Sequence, residues 1–144
     1  MKSTDNETIA RKAFVEIASH FPSLQMIEDK NAQVEISITI PVQPGLKQKV
    51  WLCLQNGDEL HFAASNFWLE WFPCTNPERV KSFVNAVVGF LSGQFRILEH
   101  FRGTRCVKAE LQAPKSDSWQ TIGTRWKFAL PFPFGKTFRE VRNV

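Results

Sequence analysis

The chain is 144 residues long, 43% hydrophobic and 22% charged, with a formal net charge of +4. That length predicts one domain, large enough to bury a core without disulfide or metal staples. The composition excludes a disordered chain, a collagen-like chain and a disulfide-rich miniprotein.

The N-terminal residues carry acids with no apolar run behind them, so no signal peptide is expected. Thr4-Asp5-Asn6-Glu7 reads as a capping box that opens a helix. Apolar residues recur behind it at Ile9, Ala13, Phe14, Ile17 and Phe21, a stripe of 3.6-residue period, until Pro22 ends it. Val34 to Ile40 then alternates strictly. This predicts a half-buried strand with its aliphatics inward and Glu35, Ser37 and Thr39 outward.

A hairpin from Leu46 to Ser65 turns at Gln55-Asn56-Gly57-Asp58, and its register is open to two readings. A two-residue Asn-Gly turn sets Trp51 opposite Phe62 and Cys53 opposite Leu60. A three-residue loop with Gly57 in the left-handed region pairs Val50 with Phe62 and Leu52 with Leu60. The hydrophobic pattern favours the second, with Val50, Leu52, Leu54, Leu60 and Phe62 on one face. Lys47, Lys49, Trp51, Cys53 and His61 are left on the other, where Cys53 and His61 are not directly opposite.

Phe67 to Phe72 is apolar on both parities and reads as a bulged continuation of the strand or a separate aromatic segment. Thr75-Asn76-Pro77-Glu78 is a second capping box, and the helix behind it is predicted to run to about Phe101, with Gly103 as its stop. Arg105 to Ala113 predicts a strand with Val107, Ala109 and Leu111 inward. Thr121 to Leu130 predicts another with Trp126, Phe128 and Leu130 inward and Arg125 and Lys127 outward. Pro131-Phe132-Pro133-Phe134 cannot continue a central strand, and Lys136 to Val144 reads as an edge strand or a mobile basic tail.

The order α-β-β-β-α-β-β predicts an α+β domain over residues 1–144: one antiparallel sheet of about five strands with two helices on one face. This element order resembles that of secretion-chaperone-like α+β domains. Those tend to be acidic, whereas this chain is basic.

Chemistry is sparse. His20, His61, His100 and the cysteines Cys53, Cys74 and Cys106 never approach metal-ligand spacing. His20 and His100 are expected near helix ends, where imidazolium suits the dipole. Three widely spaced cysteines suit a reducing, cytoplasmic compartment. The longest apolar run, Ala86 to Leu91, falls far short of the roughly twenty residues that cross a membrane, so no membrane role is expected. Cys53 and His61 share a face, but the obvious orienting carboxylate, Glu59, is only a sequence neighbour of His61. No catalytic residue, metal or cofactor is therefore expected.

Two surfaces remain. Residues 105–144 carry a net charge of +5 and the first 104 carry −1. Lys47, Lys49, Trp51, His61, Lys108, Arg125 and Lys127 are predicted to form a basic outer sheet face suited to anions or single-stranded nucleic acid. Trp68, Trp71, Phe72, Phe132 and Phe134 lie in two proline-bounded segments that a two-layer core does not readily absorb. They predict an adhesive surface for a protein partner or a second copy of the chain. The first reading is thus a non-catalytic interaction domain using that aromatic surface. The alternatives are an anion- or nucleic-acid-binding module, and a ligand carrier or enzyme with a pocket between sheet and helices.

Overall fold

The computed structural model describes residues 2–127 and 136–144. In chain order the elements are α1 (Lys2–Ser19), β1 (Ile27–Glu28), β2 (Ile36–Ile40), β3 (Val50–Gln55), β4 (Glu59–Ala64) and β5 (Phe67–Trp71). They continue with α2 (Pro77–Leu91), β6 (Arg96–Arg102), β7 (Arg105–Lys115), β8 (Ser118–Trp126) and β9 (Lys136–Arg142). The α+β class and the approximate order stand. The strands divide between a sheet ordered β1-β2-β3-β4-β5 and a second ordered β8-β7-β6-β9, and every pairing is antiparallel.

The helices pack on the inner face of the first sheet. Leu52, Leu54, Leu60 and Phe62 from the hairpin are fully buried there, against Ile17 of α1 and Phe83 and Phe90 of α2. The Phe62 and Phe90 rings lie 5.7 Å apart, and Phe14 meets Phe83 edge-on at 6.1 Å. Each such ring contributes about 1.5–3 kcal/mol by leaving water. The space between sheet and helices is therefore filled with side chains.

Four expectations change. First, α1 begins at Lys2, ahead of the cap position predicted at Thr4. Second, α2 opens at the predicted place, but Asn76 and not Thr75 is its cap, accepting from the Glu78 N–H, and the helix stops at Leu91. Gly93, at φ +81°, is the stop, because its left-handed backbone ends the helix at no steric cost. Arg96 to Arg102 is a strand, so His100 sits in a sheet and not at a helix end. Its inward face carries a charged Glu99 between Ile97 and Phe101, and that interrupts the alternation a strand normally shows.

Third, the β3–β4 loop is three residues long, but it is shifted: Gln55 pairs with Glu59, Leu54 with Leu60 and Leu52 with Phe62. Asn56 (φ +55°) and Gly57 (φ +84°) both take the left-handed turn conformation. The predicted partition of faces holds. The register differs by two residues, and Cys53 stands directly opposite His61.

Fourth, an irregularity between Leu111 and Gln112 shifts β8 along β7 and inverts its parity. Trp126 lies opposite Lys108 on the outward face and is 64% exposed. Arg125 lies opposite Ala109 on the inward face. Gly123 makes the inversion possible, since a Cβ there would stand 2.7 Å from Leu69 Cδ2. The bare backbone lets β8 lie against β5 and joins the two sheets. Phe128, Leu130, Phe132 and Phe134 lie outside the described residues. Residues 136–142 form an edge strand.

Candidate functional site

The outer face of the first sheet is built in rows across the strands. One row runs Thr39, Trp51, Ala63, Trp68, and the next runs Ser37, Cys53, His61, Glu70. Both tryptophans lean onto the second row. The Trp51 indole N–H donates to Ser37 Oγ at 2.8 Å, and that of Trp68 donates to His61 Nδ1 at 2.7 Å. Accepting at Nδ1 assigns the ring proton of neutral His61 to Nε2, which faces Glu59 Oε1 at 3.0 Å. The imidazole orients Trp68 and shares a tilted ring contact with it at 5.6 Å.

Cys53 and His61 are thus brought together, yet their surroundings do not make a nucleophile. Cys53 is fully buried, and burial, aided by the charges of Glu35 and Glu59, pushes its thiol up to about 12. Burial likewise raises Cys74 and Cys106. Reactive cysteines have the opposite setting, electropositive and partly exposed. Among the described residues, no group of three His, Cys, Asp or Glu is placed to hold a metal ion. No described helix is long and apolar enough to cross a membrane.

Beside these rows lies an open groove of about 660 Å³ where β8 meets the first sheet. Its walls include Trp51, Trp68 and Trp126, its floor includes Ala63, and Arg125 and Lys127 stand at its margin. Trp51 and Trp68 rise from strands separated by β4, about 10 Å apart, with only the Ala63 methyl between them in their row. Arg125 supports Trp68 from the neighbouring sheet: its Nε donates to the Trp68 carbonyl at 2.5 Å and its guanidinium lies 4.8 Å from the indole centroid. Its other end pairs with Glu70 at 2.5 Å. Lys127 Nζ reaches Asn66 Oδ1 at 3.4 Å and is otherwise open to solvent.

The turn bearing Ser65 and Asn66, also on the groove wall, is held from below by Glu99. This fully buried carboxylate accepts from Ser65 Oγ at 2.8 Å, from the Asn66 N–H at 2.9 Å and from Arg139 Nε at 2.7 Å. Burial alone raises its pKa, but these donors outweigh it and hold the carboxyl below its usual range.

The predicted sites are thus redistributed. Trp51, Arg125 and Lys127 converge on the groove, joined by Trp68 and Trp126. His61 lies beneath it as a support for Trp68. Lys108 belongs to the outer face of the second sheet, 4.5 Å from the Trp126 ring. Lys47 is tied to Asn143 and Val144, and Lys49 is an exposed residue ahead of β3. Of the aromatic set, Phe72 is 51% exposed and Trp68 41%. Trp71 is buried, packed edge-on against Phe83 at 5.6 Å, because β5 keeps Phe67, Leu69 and Trp71 on the helix side. Trp126 escaped the sequence reading because the bulge at Ile122 of β8, the residue left unpaired between Gly123 and Thr121, has no signal in the alternation.

A second hollow, about 400 Å³, lies between the helices against Ala13, Cys74, Val80 and Val84, with Lys12, Glu16 and Lys81 around it. Its lining is mostly aliphatic, and its charged groups do not converge on one point as they do in catalytic pockets. The groove is the stronger site. Comparison with known protein families, with curated proteins and with solved structures finds no match to this chain.

Proposed function

We propose that this protein is a non-catalytic module that binds single-stranded nucleic acid in the tryptophan groove. One observation carries the reading: Trp51, Trp68 and Trp126 share an open groove with Arg125 and Lys127. Single strands are held by that combination, bases stacking on aromatic rings while cations follow the phosphates. The indole N–H groups of Trp51 and Trp68 are already bonded within the protein, which leaves stacking as the main contact those rings offer. Stacking tolerates any base, so little sequence preference is expected. Three buried cysteines with raised pKa values suit a reducing, cytoplasmic setting.

The test is titration of a labelled oligothymidylate at increasing salt. Two groove cations predict a slope of about −1.4 for log affinity against log salt, at about 0.7 per phosphate neutralised on a single strand. Absence of binding at low salt, or binding indifferent to salt, rejects the proposal.

A second reading rests on Phe72 and Trp68, the exposed rings at the β5 end of the first sheet. They supply apolar surface for a protein partner or a second copy of the chain. A dimer in light scattering that Phe72→Ser returns to monomer supports that reading. A monomer at high concentration counts against self-association.

A further inference from the structure

The groove does not end at Trp126. The register of the second sheet sets Trp126 opposite Lys108, Lys108 opposite His100 and His100 opposite Phe138, one continuous row across all four strands. The same outward face carries Arg96 opposite Arg142. Its acids are Glu110 and Glu140. Both are engaged: Glu110 with His100 at 2.6 Å and Thr121 at 3.1 Å, and Glu140 with Arg96 at 3.0 Å. Lys108 also lies 3.7 Å from Glu110, and with Arg96 and Arg142 it outnumbers the two acids, so the face keeps a small positive excess.

Its rings are also presented for stacking. Phe138 is 59% exposed and rests edge-on against His100 at 5.0 Å. Trp126 has Lys108 4.5 Å from its centroid and is well exposed to solvent, so its ring borders both the groove and the sheet face. Arg96 and Arg142 lie 4.3 and 5.2 Å from the Trp119 centroid, and guanidinium planes held in this way are themselves platforms on which bases stack.

From this continuity we infer that the outer face of the second sheet extends the groove, so that one strand passes from Trp51 and Trp68 over Trp126 toward Phe138. The inference rests on the groove reading and adds a length to the site. The occupant is a single-stranded nucleic acid, because a row of separate rings interleaved with cations matches a chain of planar bases joined by phosphates. The row from Trp126 to Phe138 crosses three strand spacings, about 14 Å, which adds room for about two to four nucleotides beyond the groove.

The experiment compares oligothymidylates of about three and about ten nucleotides on the intact protein and on Phe138→Ala. The long strand is expected to bind at least about tenfold more tightly than the short one, with a salt slope near −3 in place of about −1.4. Phe138→Ala is expected to remove most of that gain and to leave the short strand unaffected. Phe138 is exposed, so the variant retains its core, and a thermal melt verifies that it is folded. Equal affinities at the two lengths overturn the extended track and leave the groove standing. Equal weakening of both lengths by Phe138→Ala also overturns it. Binding of neither strand removes the groove reading and this inference together.

Discussion

Trp68→Ala is expected to weaken oligothymidylate binding by about 10- to 100-fold, since one stacked base is worth about 1–3 kcal/mol. The substitution removes a half-exposed ring but leaves the buried His61 Nδ1 without its donor, so stability should fall by about 1–3 kcal/mol. Arg125 loses the indole face but keeps its bonds to the main-chain carbonyl of residue 68 and to Glu70. A complementary variant separates stacking from mere exposure of apolar surface. Ala63→Leu leaves both tryptophans in place and fills the gap between them with a branched side chain. It increases apolar surface, so an adhesive patch should tolerate or gain from it, whereas a stacking groove should lose affinity about tenfold or more. Isothermal titration of both variants, with thermal melts as folding controls, reads the two effects apart.

The second large effect concerns Glu99. Removing its carboxylate leaves the Ser65 hydroxyl and the Asn66 N–H without their buried acceptor and frees Arg139. Glu99→Ala should lower stability by about 3 kcal/mol, a drop of roughly 10 °C in melting midpoint for a chain of this size. The wild-type contribution also depends on pH in a defined direction. The folded-state carboxyl titrates below its ordinary value of 4.5, so its stabilisation is complete above that value and is lost as pH falls through the folded-state pKa. Glu99→Gln, which cannot ionise, should therefore lose less stability than wild type between about pH 5 and pH 3 in urea denaturation. Some acid sensitivity should persist in that variant, because Glu28 and Glu110 are also held below their usual range. Their burial opposes the shift, but Arg11 acts on the first and His100 and Lys108 on the second, and these partners prevail. Parallel acid limbs for wild type and Glu99→Gln would show that Glu99 does not carry the linkage.

These two residues also show what the chain discloses and what it hides. The inward faces of β2, β3, β4 and β7 are plain in the alternation of aliphatic residues, because each is buried on one side against helices or the other sheet. The hairpin partition follows from the same pattern, yet its register does not. Loops of 55–57 and 56–58 put the same side chains inward and differ only by a slide of two residues. The slide matters for the site, because it sets Cys53 against His61 and aligns Trp51, Ala63 and Trp68 in one row. The strand β6 is obscured by its own buried Glu99, which breaks the apolar alternation for the sake of the turn at Ser65 and Asn66. Gly93 is the legible sign that α2 ends there, and it lies ten residues ahead of the glycine that the apolar pattern suggests. In β8 the alternation is present but misleading. The strand slips past a bulge and turns Arg125 inward to meet Trp68 and Glu70, which sends Trp126 outward. Both reversals place aromatic or cationic groups at the groove. Local pattern speaks for core, and the residues that depart from it are those lining or supporting the site.

The role of the groove is tested most directly by photo-cross-linking. An iodouracil-bearing strand of about ten nucleotides, irradiated with the intact protein at low salt, is mapped by digestion and mass spectrometry. Attachment is expected at Trp51, Trp68 or Trp126, and it should fall as salt is raised. Attachment confined to the exposed side of the helices, around Val15 and Ser19, or no attachment at all, contradicts the nucleic-acid role of the groove.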